Sequence, residues 1–103
     1  VLVAVLEGMD AKSLRTTMDD LKNKLGSAVI LLAVAGDKIQ FCAGVTKDLT
    51  GRIKAGELVN AAAAVAGGKG GGKPDMAMAG AADVAKLADA MKAARTFIGE
   101  KLA

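Results

Sequence analysis

The chain has 103 residues, a formal net charge of +3, one Cys, two Phe and no His, Trp or Tyr. Zero His excludes imidazole acid–base catalysis, Ser-His-Asp triads and His-ligated metal sites. One Cys excludes an internal disulfide and a Cys-rich zinc site, and 52 % apolar content is too high for a disordered chain.

The length fits a single domain over residues 1–103, of a size that buries roughly 60–70 % of its unfolded surface in one core. No apolar run reaches the ~18–20 residues of a membrane span, so no membrane partner is expected. Val1–Leu6 carries neither a basic leader nor a cleavage site, against the pattern of a signal peptide. There is no initiator Met and the first residue already sits in an apolar run, which points to a piece of a longer chain. The low Cys count fits the cytoplasm.

In chain order, Val1–Leu6 (VLVAVL) reads as a buried strand, short and β-branched. Glu7–Asp10 reads as a turn, with Asp10 or Ser13 available to cap a helix. Leu14, Met18, Leu21 and Leu25 recur at spacings of four, three and four, which is one helical stripe. Arg15, Asp19, Asp20, Lys22 and Lys24 fill the opposite face, and Gly26 closes the helix. Ala28–Ala35 is the longest apolar run and predicts a second buried strand. Gly36-Asp37 then signals an antiparallel hairpin into a third strand, Lys38–Val45. Lys47–Lys54 is polar and basic. Ala55–Ala66 predicts a helix, because Ala has the best intrinsic propensity, and its small face suits close packing on a sheet.

Gly67–Asp75 (GGKGGGKPD) is expected to form a loop rather than a regular element. Met76–Gly80 leaves room for one short strand. Val84, Leu87, Met91, Ala94, Ile98 and Leu102 predict a long amphipathic helix within 83–103. The order is β-α-β-β-α-β-α. The expected fold is therefore mixed α/β, with a sheet of about four strands and helices packed on it, and a right-handed crossover where the first two strands are parallel.

The Gly-rich segment is the unusual feature. Gly67, Gly68, Gly70, Gly71 and Gly72 lack a Cβ, so a ligand can approach the backbone. Successive N–H groups in such a run can form an anion-binding concavity. Lys69 and Lys73 add positive charge there. The segment has no Gly-Lys-Ser/Thr of a Walker A loop and follows a helix, the wrong order for a dinucleotide fingerprint. The plainer reading is a flexible surface loop. Lys47, Arg52 and Lys54 form a second basic stretch, which reads either as a solvated loop or as a continuation of the same surface. Five phosphate contacts from these two stretches would give a log–log salt slope of roughly −3.5 to −4.5. Asp75 reads as a loop-bracing carboxylate, Cys42 as a small core hydrophobe and the Met residues, including Met9, as core filler. Asp19 and Asp20 point about 100° apart on a helix, a poor acid–base pair. No nucleophile–base pair and no metal-ligand cluster stands out, so no catalytic or metal-binding residue is expected.

Gly67-Gly68-Lys69-Gly70-Gly71-Gly72-Lys73-Pro74-Asp75-Met76-Ala77-Met78-Ala79-Gly80 resembles the C-terminal signature of bacterial alanyl-tRNA synthetases. Leu14-Arg15 with Asp19-Asp20-Leu21-Lys22, Ala43-Gly44-Val45-Thr46-Lys47-Asp48 and Lys54-Ala55-Gly56-Glu57-Leu58 match that family's pattern in the same order. The resemblance covers nearly the whole chain. It implies the globular, DHH-associated-type part of the synthetase's C-terminal domain, without catalytic residues of its own. It further implies a domain that helps hold tRNA(Ala) at its elbow and couples charging to editing. Gly67, Gly68, Lys69, Gly70, Gly71, Gly72, Lys73, Lys47, Arg52 and Lys54 are the candidate RNA contacts. ATP, Mg and zinc are expected of the parent enzyme and no cofactor of this segment. The implied partners are tRNA(Ala), upstream domains of the same chain and a homodimer mate through an adjoining helical part. The alternative is an interdomain or dimerisation scaffold module of the same enzyme. Three positions depart from the family's usual residues: Lys73 stands for Arg, Met78 for Gln and Ala81 for Gly. Lys offers a point charge where Arg offers a planar fork. The near-absence of aromatics points to recognition of RNA shape and backbone rather than base stacking.

Overall fold

The computed structural model describes residues 2–6 and 10–102, the side chain of Ala11 excepted. Val1, most of the expected Glu7–Asp10 turn (including Met9) and Ala103 lie outside the described residues. Five strands and three helices follow one another as β1 (Leu2–Leu6), α1 (Ala11–Leu25), β2 (Val29–Ala35), β3 (Ile39–Val45), α2 (Ala55–Val65), β4 (Lys69–Gly72), β5 (Met76–Ala81) and α3 (Leu87–Leu102), with 3₁₀ turns at Lys47–Leu49 and Val84–Lys86.

The strands form one mixed sheet in the order β1-β2-β3-β5-β4. β1 runs parallel to β2, as a helical crossover requires, and every other pair is antiparallel. The expected hairpin is present: Val29 pairs with Val45 and Ala35 with Ile39, closed through Gly36–Lys38.

Period-two alternation divides the core between the two faces of the sheet. Ile30, Leu32, Val34 and Cys42 pack with Leu14 and Met18 of α1. Val29, Leu31, Ala33, Ile39, Phe41, Ala43 and Val45 face the other way, onto α2 and α3. The central strands are apolar on both faces because both faces are covered. α1 begins at Asp10, whose carboxylate accepts the Ser13 N–H at 2.7 Å. It ends at Gly26, which sits at φ 75°, a conformation that costs a Cβ-bearing residue free energy. α2 packs on β3, β5 and β4, burying Ala55, Leu58, Val59, Ala62 and Ala63, and α3 lies beside it on the same face, against β2.

The Gly-rich segment corrects the expectation of an irregular loop, and the sheet has one strand more than expected. Gly67 takes φ 77° after α2, and Lys69–Gly72 then pairs with β5 as an edge strand, Lys69 opposite Gly80 and Gly72 opposite Ala77. The glycines serve close packing. A Cβ on Gly70 would sit 2.5 Å from the Ala79 Cα and 2.7 Å from the Met78 carbonyl oxygen, and one on Gly72 would sit 2.9 Å from the Ala77 Cα. A Cβ on Gly56 of α2 would lie 3.3 Å from the Gly72 carbonyl oxygen, so helix and strand touch backbone to backbone. Glycine here is not a mark of disorder. It is what lets β4 fit between β5 and α2.

Gly71 is the exception, because a Cβ there meets nothing within 4 Å. Gly70→Ala is therefore expected to lose about 1–3 kcal/mol of stability through overpacking. Gly71→Ala is expected to stay within about 0.5 kcal/mol of the parent. Urea denaturation of the two variants side by side checks the contrast, and equal midpoints would contradict this account of β4.

Candidate nucleic-acid interface

The turn between β4 and β5 joins the separate sequence motifs. The Pro74 carbonyl accepts the Ala55 N–H, the first of α2, at 2.8 Å. The Asp75 carbonyl accepts the Val45 N–H at 2.9 Å and the Lys22 ammonium at 3.1 Å. α2 has no side-chain cap at Lys54, so the Pro74 carbonyl satisfies a helix-start N–H that would otherwise need water. These bonds place Lys54 beside the turn that carries Lys73.

Two grooves flank β4. On the α2 side, a groove of about 310 Å³ is lined by Lys54, Gly56, Glu57, Asn60, Gly70, Gly71, Gly72 and Pro74. On the α1 side, a groove of about 440 Å³ is lined by Arg15, Asp19, Lys22, Gly71, Gly72, Lys73, Asp75, Met76, Ala77 and Met78. The structure thus places Lys54 in one groove and Lys73 in the other, on either side of the Gly71–Gly72 backbone that lines both, all of them exposed. Lys47 and Arg52 are exposed on the β3–α2 connection, which reaches the same end of the sheet. Lys69 is at the opposite end of β4, in a separate hollow with Lys38, Gly67, Gly68 and Gly80. The ten candidate residues therefore do not form one cluster: Gly67, Gly68 and Lys69 stand apart from Lys54 and Lys73.

The helical periodicity places Arg15 and Lys22 on the solvated face of α1. Their spacing with Asp19, at positions i, i+4 and i+7, was a signal that they share one stripe. Nothing in the sequence said that this stripe faces β4 and β5.

The 46–54 connection is braced by its own polar network. Thr46 is buried, and its hydroxyl accepts the Ala28 N–H at 3.0 Å and donates to Asp48 at 2.6 Å. Ser27 donates to the other Asp48 oxygen. These hydroxyls, Ser27 first and Thr46 second, hold the Asp48 carboxyl below its ordinary value. Asp75, by contrast, braces through its main chain. Cys42 is buried and unbridged, and burial pushes its thiol up to about 11, as suits a core residue rather than a nucleophile. Among the described residues, no three Cys, Asp or Glu side chains gather as a metal site would require.

The DHHA1 domain family matches residues 1–100. The chain belongs to the DHHA1 domain family. This DHHA1 domain is 60 % identical over 103 residues to the alanine–tRNA ligases of Acidovorax sp. (strain JS42) and Leptothrix cholodnii, the match covering 99 % of the chain and 12 % of each ligase. It spans about an eighth of the length of those relatives. A crystal structure of the C-Ala domain from Aquifex aeolicus alanyl-tRNA synthetase superposes with a TM-score of 0.80 at 32 % identity, over 88 % of this chain and 84 % of that one. The mixed α/β fold and the family resemblance are both borne out.

A carboxylate whose folded value lies below its unfolded value stabilises the fold above the unfolded value and loses that contribution as pH falls. Asp48→Asn is accordingly expected to melt below the parent at pH 7. The gap in Tm should close as pH drops from about 4 toward the depressed value of Asp48. Thermal melts across pH 2–7 check this, and a pH-independent gap would assign the effect to shape alone.

Proposed function

We propose that this DHHA1 domain is the noncatalytic C-terminal domain of an alanine–tRNA ligase, a segment of a longer chain, and that it holds tRNA(Ala) at the elbow. The observation that carries the proposal is exposed glycine backbone on β4 flanked by Lys54 on one side and Lys73 on the other, in a fold shared with a C-Ala domain. Cations and main-chain donors on an exposed ridge suit contacts to phosphate and ribose, which position an RNA without reading its sequence. The net charge of +3 is modest, so binding by this domain alone is weak. In the parent enzyme, other domains grip the same tRNA and raise its effective concentration at this ridge. Holding one tRNA in common is how the domain would couple aminoacylation to editing. ATP, Mg and zinc chemistry, in this reading, belongs to the rest of the enzyme, whose setting is the cytoplasm.

A second reading, a scaffold for other parts of the same chain, is favoured by one feature. Val5 is 47 % exposed on edge strand β1, beside Leu87, Ala88 and Met91 of the α3 region. Light scattering with and without an adjoining helical segment tests it, and a monomer in both cases would count against dimerisation.

Fluorescence anisotropy with labelled tRNA(Ala) across a salt series tests the first reading. The log–log salt slope is expected to fall by about two in Lys54→Ala/Lys73→Ala, one for each lost phosphate contact. Absence of binding at low salt would sink the proposal.

A further inference from the structure

α1 is the one helix packed on its face of the sheet among the described residues, and it covers β2 and β3. β5 and β4 extend beyond it. The space between the flank of α1 and the β4–β5 turn is a groove of about 440 Å³. Its volume lies within the ~300–1,000 Å³ usual for small-ligand sites.

The walls and the floor of this groove differ in character. Arg15 and Lys22 stand on the α1 wall, and Lys73 stands on the turn opposite. Asp19 and Asp75 also line it, so three cations face two carboxylates. The cations are not equivalent. Lys22 is already committed, since its ammonium donates to the Asp75 carbonyl. Arg15 is exposed and, among the described residues, enters no side-chain hydrogen bond. The floor includes Met76 and Met78, both half-buried and packed on the α1-side core. At Gly71 the space a side chain would occupy is open, so a ligand can reach the main chain.

We propose that this groove seats one nucleotide of the bound RNA. Its phosphate lies between Arg15 and Lys73, and its ribose and base rest on the Met76–Met78 floor. Each part of the groove has a matching part in a nucleotide. A guanidinium fork binds two phosphate oxygens at once, Lys73 adds a point charge from the other side, and the thioether floor offers a polarisable apolar surface where aromatic rings are missing. Lys22 acts as a positioning residue, fixing the turn that carries Lys73. The recognised chemistry is a phosphodiester-linked nucleotide, held by its phosphate and by apolar contact with the thioether floor.

The inference rests on the reading of the domain as a tRNA binder, and the test separates the two. Anisotropy with labelled tRNA(Ala) compares the parent with Arg15→Ala, Arg15→Lys, Met78→Glu and Lys54→Ala, with Arg95→Ala on α3 as a control for lost charge. Arg15→Ala is expected to weaken binding about tenfold and to lower the salt slope by about one. Arg15→Lys should restore the slope but not the affinity, since the charge returns without the fork. Met78→Glu should weaken binding at least as much as Arg15→Ala, by placing a carboxylate on the floor. Arg95→Ala should match the parent, and melting temperatures confirm that each variant is folded. Parental affinity in both Arg15→Ala and Met78→Glu, with Lys54→Ala still weakened, would overturn the nucleotide groove and leave the tRNA-binding reading standing. Absence of binding by the parent protein would overturn both.

Discussion

The three-residue turn Lys73–Asp75 is the constraint on which the rest of the site depends. Two consecutive carbonyls, of Pro74 and Asp75, accept hydrogen bonds from the start of α2, the end of β3 and the side of α1. Proline contributes twice: its fixed φ stiffens the turn, and its missing N–H leaves the carbonyl as its one main-chain hydrogen-bonding group. Without this tie, β4 would be a four-residue edge strand of Lys and Gly with no side chain in the core. With it, β4 is held at the edge of the sheet between two grooves.

That arrangement depends on small residues in a second way. α2 approaches β4 closely because Gly56 faces the Gly71–Gly72 backbone, and it lies flat on the sheet because its buried positions include Ala55, Ala62 and Ala63. α3 packs alongside α2 and shares its core through Ala90, Met91, Ala94 and Ile98. The same glycines that admit close packing leave the outer surface of β4 bare, so main chain is presented to solvent between lysines. Rigid packing on one side and exposed backbone on the other are consequences of the same residue choice. A site built this way keeps its geometry without a large core of its own.

Much of the fold was legible in the sequence because the period of apolar residues and the turn chemistry agreed. The Leu14–Met18–Leu21–Leu25 stripe, the Gly36-Asp37 hairpin and the Ala-rich helix appear within a residue or two of their expected bounds. The Gly-rich strand was not legible. Glycine has low intrinsic β preference, and what makes Lys69–Gly72 a strand is its pairing with β5 and its cover by α2. The basic residues were legible as candidates, yet their grouping was not. Lys69 and Lys73 are four apart in sequence and stand at opposite ends of an extended strand. Lys54 and Lys73 are far apart in sequence, and the bond between their chain neighbours, Ala55 N–H to the Pro74 carbonyl, brings their two segments together.

By itself the sequence determined the class of fold, the absence of imidazole chemistry, the positive balance of charge and the family, because these follow from composition, periodicity and ordered motifs. Tertiary structure alone decided which cations share a surface. Hydrophobic periodicity reports which face of an element is buried, but not which neighbour its polar flank overlooks. Arg15 became part of a groove because α1 stops short of β5, and Lys54 because a turn carbonyl captures the start of α2. Both are long-range contacts, and no local pattern encodes them.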